Sequence, residues 1–253
     1  MAAAAPLVEQ RSTGASGRRP VALVTGGAGA IGGATCRGLA DLGYAVVVNH
    51  LDTAGDAALL ASTIDGAAIE ADVADLTAVE DMFIEIERTF GPVSVVVCGA
   101  GFSEVSPIDS LTASQWDRML AVHLGGAFNV IRTAIPSMSL VSDAAIVTIA
   151  SELALSGSAE RAHYVSAKAA LIGLTKSVAH ELAPLGITAN CVAPGPIDTP
   201  LLSPHHRTAE FFEALPLRRL GTPTEVADAV MYLVKARWTT GQVLSPNGGA
   251  VIQ

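Results

Sequence analysis

Short runs of consecutive apolar residues, many of them β-branched, alternate along this chain with longer segments of helical periodicity. The apolar runs lack a regular polar alternation, so each is predicted to be a strand buried on both faces. The predicted strands are residues 21–25, 45–49, 67–71, 94–98, 144–150, 187–192 and 242–245. Helices are predicted from a glycine-rich turn to residue 42 and over residues 76–90, 113–136, 164–182 and 224–234.

Alternation of strands and helices predicts an α/β fold in which a doubly wound parallel sheet of about seven strands carries helices on both faces. No repeat or linker divides the chain, so residues 20–253 are expected to form a single domain. Residues 1–19 start with an alanine run and end in Ser, Gly and Arg, which predicts a flexible N-terminal tail. Sheets of this kind bind ligands at the carboxyl ends of their strands, where candidate chemistry is therefore expected.

Composition narrows the classes of function. Half of the 253 residues are hydrophobic, enough for one well-filled core, and the net charge of −9 argues against a nucleic-acid surface. Cys36, Cys98 and Cys191 lie far apart and form neither a metal-ligand spacing nor a disulfide framework. We therefore expect a cytoplasmic protein without a metal. No apolar run approaches the roughly 18 residues that a membrane span needs, so no membrane partner is expected.

The strongest chemical pattern is a tyrosine and a lysine one helical turn apart, Tyr164 and Lys168, with Ser151 at the end of a predicted strand. Residues i and i+4 share a helix face, so the phenol and the ammonium can point into one cleft. A cation beside a phenol lowers the phenol pKa and prepares it to exchange a proton with an alcohol or a carbonyl. A half-buried tyrosine beside a lysine whose ammonium reaches solvent is the alternative interpretation.

A glycine-rich turn at residues 25–32 connects the first predicted strand to the first helix. Its glycines let the backbone approach a pyrophosphate, whose charge the free N–H groups of the helix start favour; a tight strand–helix turn is the alternative. Asp72 follows the third strand and could accept a hydrogen bond from an adenine amine, or be an exposed loop residue. Residues 99–101 provide a second open turn after the fourth strand.

In their order and separations, these residues resemble the short-chain dehydrogenase/reductase family over residues 21–249. The matching segments are the TGxxx(A/G)xG turn at 25–32, Asp72-Val73, Ala100-Gly101, Ser151, the YxxxK motif at 164–168, Pro194-Gly195 with Thr199, and Asn-Gly-Gly at 247–249. The resemblance implies a Rossmann fold that binds NAD(P). It also implies an oxidoreductase that interconverts a carbonyl and a secondary alcohol by hydride transfer.

The resemblance also implies roles for individual residues. Tyr164 would be the acid in reduction and the base in oxidation, Lys168 would bind the nicotinamide ribose and keep the tyrosine pKa low, and Ser151 would hold the substrate oxygen. The residues expected to bind the cofactor are Thr25, Gly26, Gly29, Ala30, Ile31, Gly32, Asn49, His50, Asp72, Val73, Gly99, Ala100, Gly101, Tyr164, Lys168, Pro194, Gly195, Ile197 and Thr199.

Two departures from the family pattern stand out. His123 occupies the place of an asparagine that, in the family, helps to hold a water linking the lysine to solvent. A histidine can also bond a water, and titration near neutrality would support a proton relay, which makes His123 a candidate catalytic residue; a helix-packing histidine is the alternative. Cys98-Gly99 replaces two asparagines, one of which normally braces the sheet.

The choice of nicotinamide depends on the end of the second strand. NAD-specific members carry an acidic residue there, whereas this chain has His50, followed by Leu51 and Asp52. The missing acid removes repulsion against a 2′-phosphate, which Asn49 and His50 could bond. The arginines common in NADP users are absent at these places, and Asp52 could turn towards the ribose. NADP(H) is therefore favoured slightly over NAD(H).

Residues 201–220 follow the sixth strand, where the family places its substrate lid. They predict either an apolar lid over a small carbonyl substrate or ordinary helices at the domain edge. Arg207, Arg218 and Arg219 could bind an anionic handle such as a phosphopantetheine or coenzyme A group, or form a solvated face, and His205-His206 is interpreted as a surface pair. The apolar helices 113–136 and 164–182 pair across a two-fold axis in family members, which predicts a homotetramer or a homodimer.

The function favoured by this resemblance is an NAD(P)-dependent ketoreductase similar to the 3-oxoacyl reductase branch. One alternative is an NAD-dependent dehydrogenase of a sugar, polyol or steroid-like alcohol. An alternative of another class is a catalytically inactive protein that binds the cofactor as a sensor. The intact Ser151, Tyr164 and Lys168 argue against this last alternative, because family members without catalysis typically lose one of the three.

Overall fold

The strands of the molecule form one parallel sheet. The computed structural model describes residues 18–202 and 207–252. Within this part of the chain the sheet has seven strands, in the order β3-β2-β1-β4-β5-β6-β7. Their bounds are β1 Val21–Thr25, β2 Ala45–His50, β3 Ala67–Glu70, β4 Val93–Cys98, β5 Ala145–Ile149, β6 Thr188–Val192 and β7 Val243–Leu244. The strand order reverses between β1 and β4, so the chain leaves these two strands towards opposite faces and opens a crevice at their carboxyl ends.

Helices cover both faces of the sheet. They are α1 Ala30–Asp41, α2 Ala54–Thr63, α3 Leu76–Phe90, α4 Ala113–Leu120, α5 Gly126–Met138, α6 Leu153–Ser156, α7 Ala162–Leu182, α8 Ala209–Ala214 and α9 Pro223–Lys235. Several begin at side-chain caps that the sequence supplies. Thr112 and Gln115 form a capping box at α4, and Thr222 and Glu225 form another at α9.

The core lies in two layers. One apolar cluster packs α3, α5 and α7 against one face of the sheet, and the other packs α1, α2 and α9 against the opposite face. Every residue of β1, β2, β4, β5 and β6 is buried, which explains why these segments lack polar alternation. The predicted doubly wound α/β fold is thereby confirmed.

The helix expected over residues 113–136 is continuous from Ala113 to Met138, but its middle turn differs from a regular α-helix. A π-helical segment, Ala121–Gly125, separates α4 from α5, and its only buried residue is His123. Single π-helical turns of this kind are frequent at functional sites. Glycine at 126 is required for close packing, since a Cβ there would lie 2.5 Å from a methyl carbon of Val73.

Most of the predicted tail, residues 1–17, lies outside the described residues, as does the pair His205-His206. Arg19 is described, and its guanidinium pairs with the Asp65 carboxylate at 3.0 Å. Across the described ranges, no helix combines the length and the apolar character needed to cross a bilayer.

Candidate active site

A cavity of about 890 Å³ opens at the carboxyl ends of the strands. Its walls come from the glycine-rich turn after β1, the loops after β2 to β6, and the segment that contains α8. Of the residues predicted from the sequence, Ser151, Tyr164, Lys168, His123 and all the cofactor residues except Thr25 line it. The fold therefore brings together residues that are up to about 170 positions apart.

The serine, tyrosine and lysine lie on one wall of this cavity. Ser151 follows β5, while Tyr164 and Lys168 lie one turn apart in α7. The Lys168 Nζ is 5.8 Å from the centroid of the Tyr164 ring and donates a hydrogen bond of 2.7 Å to the carbonyl of Ile149. This bond anchors α7 to the end of β5 and so sets the spacing of the three side chains.

The expectation that the lysine lowers the tyrosine pKa is not met in this structure. Burial raises the pKa of the Tyr164 phenol above its ordinary value, the hydrogen bond with Ser151 opposes that effect, and the charge of Glu152 adds to it. Burial also lowers the pKa of Lys168 to about 8. Desolvation disfavours both charged forms, so proximity of a cation does not by itself produce an acidic phenol.

The burial of His123 argues against a proton relay that titrates near neutrality, and its catalytic role stays a prediction. Its side chain is 3% exposed, and burial, with the nearby charge of Lys168, lowers its pKa to about 3. Its Nε2 lies 3.1 Å from the backbone nitrogen of Phe102, whose N–H donates to it, and its ring meets the Tyr164 ring edge-on at 5.7 Å. His123 is a neutral residue that positions the loop after β4.

Close packing explains the glycine beside this histidine. A Cβ at Gly101 would lie 2.2 Å from the His123 ring, so the loop after β4 requires glycine there. His123 Nδ1 is buried and has no hydrogen-bond partner among the described residues. A neutral amide at the same position could make the same bond to the Phe102 backbone.

We therefore expect His123→Asn to retain turnover within about fivefold of the wild type, because one hydrogen bond worth about 1 kcal/mol is exchanged for another. His123→Leu, which cannot accept from the Phe102 N–H, is expected to lose more. Initial rates of carbonyl reduction, with a thermal melt of each variant, measure this. A folded but inactive His123→Asn protein would contradict it.

The glycine-rich turn is built for close approach of backbone. A Cβ at Gly32 would lie 2.1 Å from the carbonyl oxygen of Gly26, so only glycine allows the turn to fold back against α1. Helix α1 begins after Gly29 without any side-chain cap, which leaves N–H groups of its first turn directed at the cavity. These features fit a bound pyrophosphate.

Thr25 is the one predicted cofactor residue that does not line the cavity. Its hydroxyl accepts hydrogen bonds from the backbone N–H groups of Gly99, at 3.1 Å, and Ala100, at 3.2 Å. Thr25 thus ties the turn after β1 to the turn after β4. These two hydrogen bonds brace the sheet at the place where Cys98-Gly99 replaces the family's asparagines.

The end of β2 contains both predicted contacts for a 2′-phosphate, but they differ in availability. The Asn49 amide donates to the carbonyl oxygen of Ala71 at 3.0 Å, so its N–H group is already used within the sheet. His50 is 6% exposed, and its Nδ1 has no partner among the described residues. Asp52 is exposed and does not line the cavity, whereas Leu51 and Thr53 do.

The predicted cofactor residues after β3 and β6 also line the cavity. The Asp72 carboxylate accepts from the Ala74 N–H at 2.9 Å, which holds the turn after β3 beside the cavity. A Cβ at Gly195 would lie 2.5 Å from the Cα of Asn247, so the Pro194-Gly195 segment packs directly on the Asn-Gly-Gly turn.

Part of the predicted lid lines the cavity. Leu201, Leu202, Phe211 and Leu215 contribute apolar surface to it. Two of the arginines pair with acids at the surface: Arg207 with Asp198 at 2.7 Å and Arg219 with Glu225 at 2.6 Å. These pairs favour the solvated-face interpretation of the arginines.

Several cavity residues were not among those predicted from the sequence, including Phe102, Ser103, Glu152 and Arg161. Arg161 donates a 2.5 Å hydrogen bond to the hydroxyl of Ser103. For Glu152 the sequence did contain a signal of a site residue, because it is a charged residue directly after Ser151, at a strand end where ligands bind.

Comparisons with known proteins agree with this geometry. A family model described as enoyl-(acyl carrier protein) reductase matches residues 26–251. The 3-oxoacyl-(acyl-carrier-protein) reductase FabG of Staphylococcus aureus strain Mu50 is 37% identical over 238 residues, which cover 90% of this chain and 96% of that protein.

Solved structures are similar over almost the whole chain. A blue fluorescent protein from a metagenomic library, crystallised in complex with NADPH, has a TM-score of 0.87 and 32% identity, covering 93% of this chain and 99% of its own. A short-chain dehydrogenase/reductase, glucose/ribitol dehydrogenase, from Brucella melitensis has a TM-score of 0.88 and 29% identity, covering 93% and 98%.

Proposed function

This chain belongs to the short-chain dehydrogenase/reductase family, and we propose on that basis that it is a ketoreductase of the 3-oxoacyl type. It interconverts a carbonyl compound and a secondary alcohol with a nicotinamide cofactor. The observation that carries the proposal is a single cavity with Ser151, Tyr164 and Lys168 on one wall and a cap-free helix start behind a glycine-rich turn on another. The 37% identity to the FabG reductase, which extends over 90% of this chain, supports the 3-oxoacyl substrate class.

The residues present fit a bound nicotinamide dinucleotide. The turn at Gly26 and Gly32 lines the cavity and is folded tightly against neighbouring backbone, which a side chain at either residue would prevent. The first turn of α1 supplies N–H donors for its charge. When bound, the cofactor supplies or accepts the hydride.

The protein's own residues handle the proton and the developing charge. In reduction, the Tyr164 phenol donates its proton to the substrate oxygen, and the raised pKa of this phenol keeps it protonated across neutral pH. In oxidation, the phenolate takes the proton back, so that direction is expected to accelerate as pH rises. Ser151 donates a hydrogen bond to the oxygen as it gains charge, and Lys168 holds α7 against β5.

A substrate panel tests this function. It contains a 3-oxoacyl thioester of coenzyme A, simple ketones, and polyols with the oxidised cofactor, and absorbance of the reduced nicotinamide is followed. We expect fastest turnover with the 3-oxoacyl thioester. Turnover of polyols alone would instead favour the sugar or polyol dehydrogenase, and cofactor binding without any turnover would favour the sensor.

We infer NADP(H) as the cofactor. The structural neighbour crystallised with NADPH supports this choice, as does the absence of an acid at the end of β2. His50 lies there instead, and its Nδ1 has no hydrogen-bond partner within residues 18–202 and 207–252. We expect the ratio of kcat/KM for NADPH over NADH to exceed one.

A substitution at His50 makes this cofactor prediction specific. His50→Asp is expected to reverse the preference, because a carboxylate repels the 2′-phosphate and accepts from a ribose hydroxyl. Asp52→Asn, a loop residue outside the cavity, is the control and should keep the wild-type ratio. A strong NADH preference in the wild type would contradict the inference.

We infer a homotetramer, with a homodimer as the next simplest assembly. Phe128 on α5 is 47% exposed, and Ala169 and Gly173 on α7 present a small, exposed surface on the same face of the sheet. Apolar and small surfaces of this kind favour pairing with a second copy.

Light scattering at micromolar concentration measures the assembly. The expected mass is about four times the chain mass of 25.7 kDa. Phe128→Glu should lower this mass, whereas Leu59→Glu, an exposed apolar residue on α2, should not. A monomeric wild type would contradict the inference.

A reducing compartment, the cytoplasm, is inferred from the cysteines. All three are free and buried, and burial raises the pKa of the Cys36 and Cys98 thiols to about 12. Thiols of this kind are poorly reactive and take no part in disulfides.

A further inference from the structure

A carboxylic acid stands beside the serine of the catalytic wall, and the mechanism above gives it no role. Glu152 directly follows Ser151 at the end of β5 and lines the same cavity. The Ser151 Oγ donates to the Glu152 Oε2 at 3.3 Å and accepts from the backbone N–H of Leu153 at 3.2 Å. The carboxyl is thus in direct contact with the hydroxyl that must serve the substrate oxygen.

A serine hydroxyl carries one proton and can donate only one hydrogen bond. Its contribution to reduction requires that this proton be directed at the substrate oxygen, where charge develops. In the present arrangement the Ser151 hydroxyl lies within hydrogen-bond distance of the Glu152 carboxyl, which accepts this proton in competition with Tyr164 and the substrate oxygen. Glu152 therefore competes with the substrate for the single donor of Ser151.

The surroundings of Glu152 shift the pKa of its carboxyl towards neutral pH. Burial raises its pKa to about 7, while the hydrogen bond from Ser151 and the Arg161 guanidinium at the start of α7 act in the opposite direction. Its charge in turn raises the pKa of Tyr164. Besides Arg161 and Tyr164, the titratable groups that line the cavity are Lys168, whose ammonium is bonded to the Ile149 carbonyl, His123, which is neutral, and His50, Asp72 and Arg118.

We propose that Glu152 is a positioning residue that decides whether the Ser151 proton is available to the substrate oxygen. As a carboxylate, Glu152 accepts that proton in a hydrogen bond. As a neutral acid, it donates its own hydrogen to the Ser151 oxygen, which has a lone pair left beside the Leu153 N–H, and the serine proton turns to the substrate. This inference rests on the proposed ketoreductase function.

The pH profile of carbonyl reduction tests the proposal. In the wild type, kcat/KM should fall by about tenfold for each pH unit above the titration of Glu152, near pH 7. Glu152→Gln should remove that decline, because its amide donates to Ser151 at every pH. At pH 8 the variant should therefore be several times faster than the wild type.

Glu160→Gln is the matched control for this experiment. Glu160 is an exposed acid that lies shortly before α7 and does not line the main cavity. Its variant should therefore keep the wild-type pH profile. An unchanged profile in Glu152→Gln, or a uniform loss of rate at all pH values, would overturn the proposal.

A second measurement needs no turnover and so separates this inference from the proposed function. In protein labelled at the glutamate carboxyl carbons, the Glu152 NMR signal is identified by its absence in Glu152→Gln. It should titrate near pH 7, well above the ordinary value of 4.5. In Ser151→Ala, which removes the hydrogen bond, the midpoint should rise by roughly half a unit.

Each outcome of the two measurements has a distinct meaning. A Glu152 midpoint near 4.5, or one that Ser151→Ala leaves in place, overturns the proposal even if the enzyme is an active reductase. The expected titration in a protein that turns over none of the substrate panel supports the Ser151–Glu152 coupling and rejects the proposed function.

Discussion

Replacing Tyr164 with phenylalanine should lower the rate of carbonyl reduction by about 10³-fold, because the substrate oxygen then loses the acid that protonates it. The ring itself remains, so its edge-on contact with His123 and the packing of α7 should persist. Cofactor affinity is expected to stay within about threefold of the wild type, since the phenol oxygen contributes one hydrogen bond at most. Single-turnover kinetics with a saturating reduced cofactor measure the chemical step.

Tyr232→Phe provides the matched control, since Tyr232 lies on α9 with 54% exposure and outside the cavity. It loses the same hydroxyl and should keep the wild-type rate. If Tyr164→Phe retained the wild-type rate, the phenol would not be the acid and the proposed mechanism would fail.

The second large effect is expected from Gly32→Ala in the glycine-rich turn. The new Cβ would lie 2.1 Å from the Gly26 carbonyl oxygen, and because that atom belongs to the backbone, the turn itself must shift. Overpacking of this kind costs about 2–3 kcal/mol. If the cost falls on the bound conformation, cofactor affinity drops roughly 30- to 150-fold. Titration of the reduced cofactor by its fluorescence measures the dissociation constant.

Gly33→Ala, one residue further along α1, separates this steric effect from a general intolerance of alanine. The nearest atom to its Cβ is the end of the flexible Arg37 side chain, at 3.3 Å. Helix propensity then favours alanine by up to about 1 kcal/mol, so this variant should bind the cofactor normally and melt no lower than the wild type. Equal affinities for the two variants would contradict the assignment of the turn to the cofactor.

Both predictions concern residues that the sequence already singled out, whereas their surroundings came from the structure. The order of the apolar runs predicted the strands within one or two residues at most ends, because full burial leaves a strong signal. Helix α2 was missed, since only three of its residues are buried and its apolar periodicity is weak. The π-helical segment was missed because apolar periodicity does not distinguish one π-helical turn from the α-helix on either side of it.

The same division applies to the site. The spacing of Tyr164 and Lys168 identified a candidate pair, but the direction of each pKa shift depends on how much solvent the fold removes. Thr25 carries the family motif, yet its hydroxyl is turned towards the backbone of Gly99 and Ala100. Glu152 belongs to no motif, and its hydrogen bond with Ser151 exists only in the folded protein.

The sequence by itself determined the α/β layering, the positions of the strand ends and the residue types that meet there, because these follow from apolar periodicity and from turns that only glycine permits. The tertiary structure alone decided that His123 is neutral, that the phenol of Tyr164 is less acidic than normal, and that Ser151 shares its proton with a glutamate. Protonation and hydrogen-bond partners depend on burial and on neighbours far away in the chain, and a linear pattern of residues contains neither.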